Sequence, residues 1–168
     1  YEDFSKWSFH LQIYFLAERF KEQKRMFEYG GGFIQDRSIY EDTGIFAQMH
    51  KEKGTMDPVD HETYTSLFEA MVMTPYFPHP NLLIYLEGSM DDIIDRIHDR
   101  GRPMEQQTPI SYWEEMHGRY ERWIDAFNGC PVLRLNINDY DIMTNPNDVE
   151  TILERVGQFM EQTAIIRK

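Results

Sequence analysis

One cysteine, Cys130, stands among 168 residues, so no intramolecular disulfide can staple the fold and no cysteine-rich metal site can form. That usage fits a reducing, cytoplasmic setting. No apolar run approaches the roughly 18 residues of a membrane span, and no signal peptide is expected at the start of the sequence. Positive charge is scarce as well. With 17 Lys and Arg against 29 Asp and Glu, the net charge is -12, and the molecule as a whole repels nucleic acid and anionic lipid. Any grip on an anion must come from a local cluster. An initiator Met is also missing: Tyr1-Glu2-Asp3-Phe4 falls straight into a helical pattern, and the chain reads as the continuation of something longer. Apolar residues, at 41%, and aromatic ones, at 14%, are plentiful, which predicts a single packed domain over residues 1–168.

Against this acidic background the stretch 96–105 stands out. It reads Arg96-Ile97-His98-Asp99-Arg100-Gly101-Arg102-Pro103-Met104-Glu105, with three guanidinium groups spaced four and then two apart across a helix-ending glycine. Arginine keeps its proton, and its planar fork matches phosphate oxygens. The competing account is a solvated helix end, because cations also favour helix C-termini.

Hydrophobic periodicity predicts a long amphipathic helix over 3–29, stopped by Gly30-Gly31-Gly32. Those glycines are not a phosphate loop, since no Lys-Ser or Lys-Thr follows them. A short buried strand is expected at 33–36, with Arg37-Ser38 at its carboxyl end, where open parallel sheets gather ligands. Helices follow at 40–50 and from Asp57-Pro58, where Asp caps and Pro fills the first turn. The run 82–86 predicts a central parallel strand covered on both faces. Ser89 caps the next helix, with Asp92 three residues on, and that helix puts Arg96 and Arg100 one turn apart on one face. Beyond a lid-like loop over 100–108, a helix at 109–127, a strand at 131–135 and a last helix at 148–160 complete the pattern, with a frayed tail from Glu161. Three strands separated by helices predict an α/β fold, a three-layer parallel sheet flanked by helices.

The motifs in order are Tyr1 with Trp7 and Gln12 on the first helix, Asp36-Arg37-Ser38 after it, and the arginine stretch 96–105. Over nearly its whole length the chain resembles the deoxyribonucleoside kinases, most closely the bacterial deoxyadenosine kinases. That resemblance implies a P-loop nucleoside and nucleotide kinase fold. It implies transfer of the γ-phosphoryl of ATP, with Mg2+, to the 5′-hydroxyl of a deoxynucleoside in nucleotide salvage by a homodimeric enzyme with small-molecule partners only. By the same resemblance Arg96, Arg100 and Arg102 close over the donor phosphates and Arg37 lies near the 5′-oxygen. Tyr1 and Glu105 hold the sugar 3′-hydroxyl, and Phe46 touches the substrate; a frayed end and an ordinary loop acid are the competing accounts of Tyr1 and Glu105.

The base pocket can also be argued from chemistry. Gln12 donates and accepts at once, as an adenine edge requires, and Arg19 lies about two turns further along the same helix. The family pattern sets Arg19 beside Asp42. A buried carboxylate accepts hydrogen bonds without donating them, which favours the exocyclic amine of adenine or cytosine over the carbonyl of guanine or thymine. Deoxyadenosine is therefore the expected substrate and deoxycytidine the second. A plain surface ion pair is the alternative for Arg19 and Asp42.

The resemblance also has a gap. Family members begin with a strand, a Walker-type loop ending in Lys-Ser or Lys-Thr, a helix, and a strand bearing the expected general base, and none of these occurs in the 168 residues. The polypeptide as written is therefore expected to lack measurable kinase activity while the complete protein is active, and no residue is assigned to metal. Two other readings remain: a thymidylate-type nucleotide kinase, and a non-catalytic helical dimerisation module.

Overall fold

Asp3 starts the first helix by accepting a hydrogen bond from the Lys6 amide at 3.1 Å, which satisfies one of the amides a helix N-terminus leaves unpaired. The structure is a computed structural model that describes residues 3–30, 32–75 and 77–166. Helix α1, Phe4–Tyr29, ends at Gly30, whose φ of 69° closes the last turn through its amide bond to Met26 O. Two compact units make up the chain, Tyr1–Pro78 and His79–Lys168.

In the first unit, Ser38 and Glu41 form a reciprocal capping box at the start of α2, Ile39–Glu41, as such a pair does at helix starts. The chain then widens into a π-helical segment, Asp42–Ala47, and tightens again as α3, Gln48–Glu52. Helix α4, Pro58–Val72, starts where the Asp57 carboxylate accepts from the Val59 amide at 2.8 Å. Leu16, Ile39, Ala47, Tyr64 and Phe77 form the core between these elements.

Tyr64 is fully buried, and its hydroxyl lies 3.2 Å from Thr43 Oγ1. Burial is the main reason its ionisation is pushed up to about 12. The unfolded tyrosine ionises near 10.0, so the raised native value gives a contribution that is full below that pH and is lost as pH rises toward about 12. Relative to Tyr64→Phe, the native protein should lose about 1.4 kcal/mol per pH unit across this window. Urea midpoints measured for both proteins from neutral to alkaline pH check it, and parallel curves would contradict the burial of the hydroxyl.

The second unit is α/β. Strands β1, Leu83–Glu87, and β2, Val132–Asn136, pair in parallel with Leu83 opposite Val132 and Glu87 opposite Asn136. Between them run α5, Met90–Arg100, the short α6, Pro103–Gln106, and α7, Ile110–Ala126, while α8, Pro146–Ile166, follows. Ile97, Met116, Ile124, Leu133 and Leu135 are its buried apolar residues alongside Cys130.

The expected α/β class with a parallel sheet is what forms, and four local expectations are corrected. Residues 33–36 are not a strand: Ile34 is 99% exposed and Phe33 48%, and among the described residues no strand lies beside them to complete their hydrogen bonds, without which an extended segment has little reason to persist. Side chains fix this segment instead, through Gln23 Nε2 to Gln35 Oε1 at 2.8 Å and Gln35 Nε2 to Glu22 Oε2 at 3.2 Å. Strand β1 is not covered on both faces, because Ile84 and Leu86 are exposed. The helix expected over 40–50 carries the π-helical widening at its centre. The last helix continues through Thr163, whose Oγ1 donates to Phe159 O at 2.9 Å, rather than fraying from Glu161.

Candidate active site

Gln12 sits on α1 with 3% exposure, and among the described residues its Oε1 accepts no hydrogen bond. A buried acceptor left without a donor costs free energy of order 1–3 kcal/mol, so this atom has room for one more donor. Arg19, further along α1, donates from Nε to Asp42 Oδ2 at 3.3 Å and from Nη1 to Glu22 Oε2 at 3.4 Å. The side chains of Arg19 and Asp42 are 21% and 8% exposed, which discards the plain surface ion pair.

Burial raises the Asp42 carboxyl above its usual 3.8, outweighing the opposing pulls of Arg19 and Arg37. For a group raised in this way, the folded chain holds the proton more tightly than the unfolded one. Its contribution to stability is full below the unfolded value and is lost as pH rises through the native one. The carboxylate form of Asp42 is thus disfavoured by the fold rather than stabilised by it, a common mark of a functional carboxylate.

Asp42 is the first residue of the π-helical segment, and Phe46 lies four residues on in the same segment. The Arg37 guanidinium carbon stands 5.8 Å from the Phe46 ring centroid, within cation–π range. Arg37 itself has φ of 60°. A non-glycine side chain held in the left-handed region is strained, and such strain gathers at functional sites.

In the second unit the arginine stretch is built as the sequence predicts, though its partners differ. Ser89 Oγ accepts from the Asp92 amide at 3.2 Å while Asp92 accepts from the Ser89 amide at 2.9 Å, and Gly101 at φ 68° ends α5. Arg96 and Arg100 go to separate partners: Arg96 Nη2 donates to Ile137 O at 2.9 Å, whereas Arg100 meets Glu105 Oε2 through Nε at 2.9 Å and Nη2 at 2.8 Å. Arg102 Nη1 stands 3.5 Å from Glu105 Oε1. Two guanidinium groups therefore converge on one carboxylate, and both remain exposed. An exposed pair of this kind is worth about 0–1 kcal/mol, so a more highly charged anion can displace Glu105. Tyr1 lies outside the described residues.

Sequence reasoning missed Glu22 and Gln35, which back Arg19 through Arg19 Nη1 to Glu22 Oε2 at 3.4 Å and Gln35 Nε2 to Glu22 Oε2 at 3.2 Å, and the contact of the Thr43 and Tyr64 hydroxyls in the segment that carries Asp42; only the fold brings these side chains together. It also missed a shallow depression of about 270 Å³ lined by Glu87, Gly88, His117, Glu121 and Asn136. The carboxyl ends of both strands open there, and His117 Nε2 lies 3.1 Å from Gly88 O. That position follows from the general rule for open parallel sheets, once both strands are known.

A parallel α/β fold bearing a guanidinium cluster around a helix C-terminus is an architecture suited to phosphoryl transfer. Comparison with known proteins makes the class specific. The deoxynucleoside kinase family profile matches residues 1–161, and the chain belongs to that family; it is a kinase of the P-loop type. It is 69% identical over 157 residues to the deoxyadenosine/deoxycytidine kinase of Bacillus subtilis, covering 94% of this chain and 72% of that one. It is 33% identical to a deoxyguanosine kinase of Lactobacillus acidophilus, covering 93% and 71%. Among solved structures, the deoxyadenosine kinase of M. mycoides with bound dATP superposes with a TM-score of 0.72 at 27% identity, covering 94% of this chain and 78% of that one. Among the described residues no helix is long and apolar enough to cross a membrane.

Proposed function

We propose that the enzyme transfers the γ-phosphoryl group of ATP to the 5′-hydroxyl of deoxyadenosine, with deoxycytidine as second substrate. The observation that carries this reading is the Asp42 carboxylate, buried and held by Arg19 at 3.3 Å. Such a group accepts from an exocyclic amine and repels a carbonyl. The vacant acceptor of Gln12 asks for the same kind of donor. The relative at 69% identity is named for both deoxyadenosine and deoxycytidine.

In this reading Phe46 packs on the base and Arg37 lies near the 5′-oxygen. Arg96, Arg100 and Arg102 stabilise charge on the phosphoryl group as the 5′-hydroxyl gives its proton to a general base carried by the segment these 168 residues lack, its oxygen bonds to phosphorus and ADP departs. Glu105, released from the arginines, accepts from the sugar 3′-hydroxyl, and Tyr1 assists it. Mg2+ is proposed to arrive with the triphosphate, carried mainly by its oxygens and by the segment these 168 residues lack. One kinase domain with a lid over 100–108, a homodimer and a cytoplasmic setting complete the reading on the strength of the family resemblance and the single cysteine.

Initial rates of the full-length enzyme with deoxyadenosine, deoxycytidine, deoxyguanosine and thymidylate test it. Deoxyadenosine should give the highest kcat/KM and deoxycytidine the next. Preference for thymidylate would replace this reading with a nucleotide kinase, and preference for deoxyguanosine would remove Asp42 from base recognition.

A further inference from the structure

The segment bearing Asp42 and Phe46 is not a regular helix. A π turn is wider than an α turn, is rare, and concentrates at functional sites. It changes the angle at which residues four apart leave the helix, so Asp42 and Phe46 project differently from two residues one α turn apart. Something must hold this register against relaxation to the commoner α form.

The structure supplies a hydroxyl relay. Thr43 Oγ1 donates to Ile39 O at 3.0 Å, a side-chain bond back to the preceding turn of the kind that bends helices. Having given its proton to that carbonyl, Thr43 Oγ1 is an acceptor toward Tyr64, whose hydroxyl lies 3.2 Å away. Tyr64 reaches across from α4 and is fully buried, so the relay ties the widened turn to the core of the first unit.

We propose that the Tyr64 and Thr43 hydroxyls are positioning groups for base discrimination, fixing the π-helical register at which Asp42 and Phe46 meet the nucleoside. This rests on the assignment of Asp42 to the base made above. Neither hydroxyl touches substrate; each acts through the backbone turn between residues 39 and 43.

The test compares kcat/KM for deoxyadenosine and deoxyguanosine in the full-length enzyme and its Tyr64→Phe, Thr43→Val, Thr43→Ser and Asp42→Ala variants, with thermal midpoints measured alongside. Losing one neutral hydrogen bond of the relay should lower the deoxyadenosine preference about fivefold in Tyr64→Phe and in Thr43→Val. The change should appear mainly in KM, because the phosphoryl groups are untouched. Thr43→Ser keeps the hydroxyl and should restore the preference, whatever its own thermal midpoint. A lowered thermal midpoint with an unchanged preference in Tyr64→Phe and Thr43→Val would overturn the proposal while leaving the base assignment standing, provided Asp42→Ala alters the preference. If Asp42→Ala leaves it unchanged, the base assignment falls and this inference with it. Thr43→Val decides the matter alone should Tyr64→Phe fail to fold.

Discussion

Arg100→Ala lowers turnover of the full-length enzyme about 100-fold or more, while its KM for deoxyadenosine stays within a few-fold of the native value. The size follows from the kind of contact proposed: a preorganised donor aimed at charge that develops on the transferring phosphoryl group is worth about 10²–10³ in rate. Its selectivity follows from location, since Arg100 closes the last turn of α5 and its partner is Glu105, not a base-recognition residue. Thermal stability should barely move. The Arg100 side chain is 49% exposed, and an exposed ion pair contributes about 0–1 kcal/mol. Arg100→Lys should recover part of the loss, because the charge returns without the fork that takes two phosphate oxygens at once. Steady-state kinetics with varied ATP and varied deoxyadenosine, beside a thermal melt, separate these outcomes. Unchanged turnover removes Arg100 from the mechanism, and a rise confined to the KM for deoxyadenosine moves it to the nucleoside side.

That the guanidinium cluster could be picked out from sequence is instructive about what sequence encodes locally. Ser89, Asp92 and Gly101 fix the ends of α5 through contacts three residues apart or a single backbone angle, and such short-range chemistry is written in consecutive letters. The same holds for Asp57-Pro58 at the start of α4 and for Gly30 at the end of α1. Residues 33–36 misled because a run with strand propensity becomes a strand only when a neighbour accepts its hydrogen bonds. Nothing in the four residues announces whether that neighbour exists. The π-helical widening at Asp42–Ala47 was illegible for a related reason: its periodicity over six residues is too short to distinguish from an α turn, and its support comes from Tyr64, 21 positions away from Thr43. Glu105 illustrates a third limit. Its assignment to a sugar hydroxyl came from resemblance, and only the fold reveals that Arg100 and Arg102 occupy it.

Asp42→Ala should cut the preference for deoxyadenosine over deoxyguanosine by roughly 10- to 150-fold, the worth of a hydrogen bond to a charged group at about 1.5–3 kcal/mol. Most of the change should come from a lower kcat/KM for deoxyadenosine, since the amine loses its acceptor, with a smaller gain for deoxyguanosine as its carbonyl no longer meets a buried negative charge. Arg19 is not stranded in the variant, because Glu22 remains 3.4 Å from its Nη1; the fold therefore survives the substitution, and a loss of discrimination is not a loss of structure. The native enzyme should show a pH signature that the variant lacks. Burial holds the Asp42 carboxyl above the ordinary carboxylate range, so as pH falls the group takes up a proton sooner than an exposed aspartate would. Once protonated it can donate to the guanine carbonyl. The deoxyadenosine preference of the native enzyme should then decline as pH falls toward and through the raised value, whereas the Asp42→Ala ratio stays flat. Taking the ratio of the two substrates at each pH cancels the titration of lid and phosphate groups common to both. A native ratio that holds constant across that range would mean that the carboxylate does not read the base, even if the Asp42→Ala variant were impaired for other reasons.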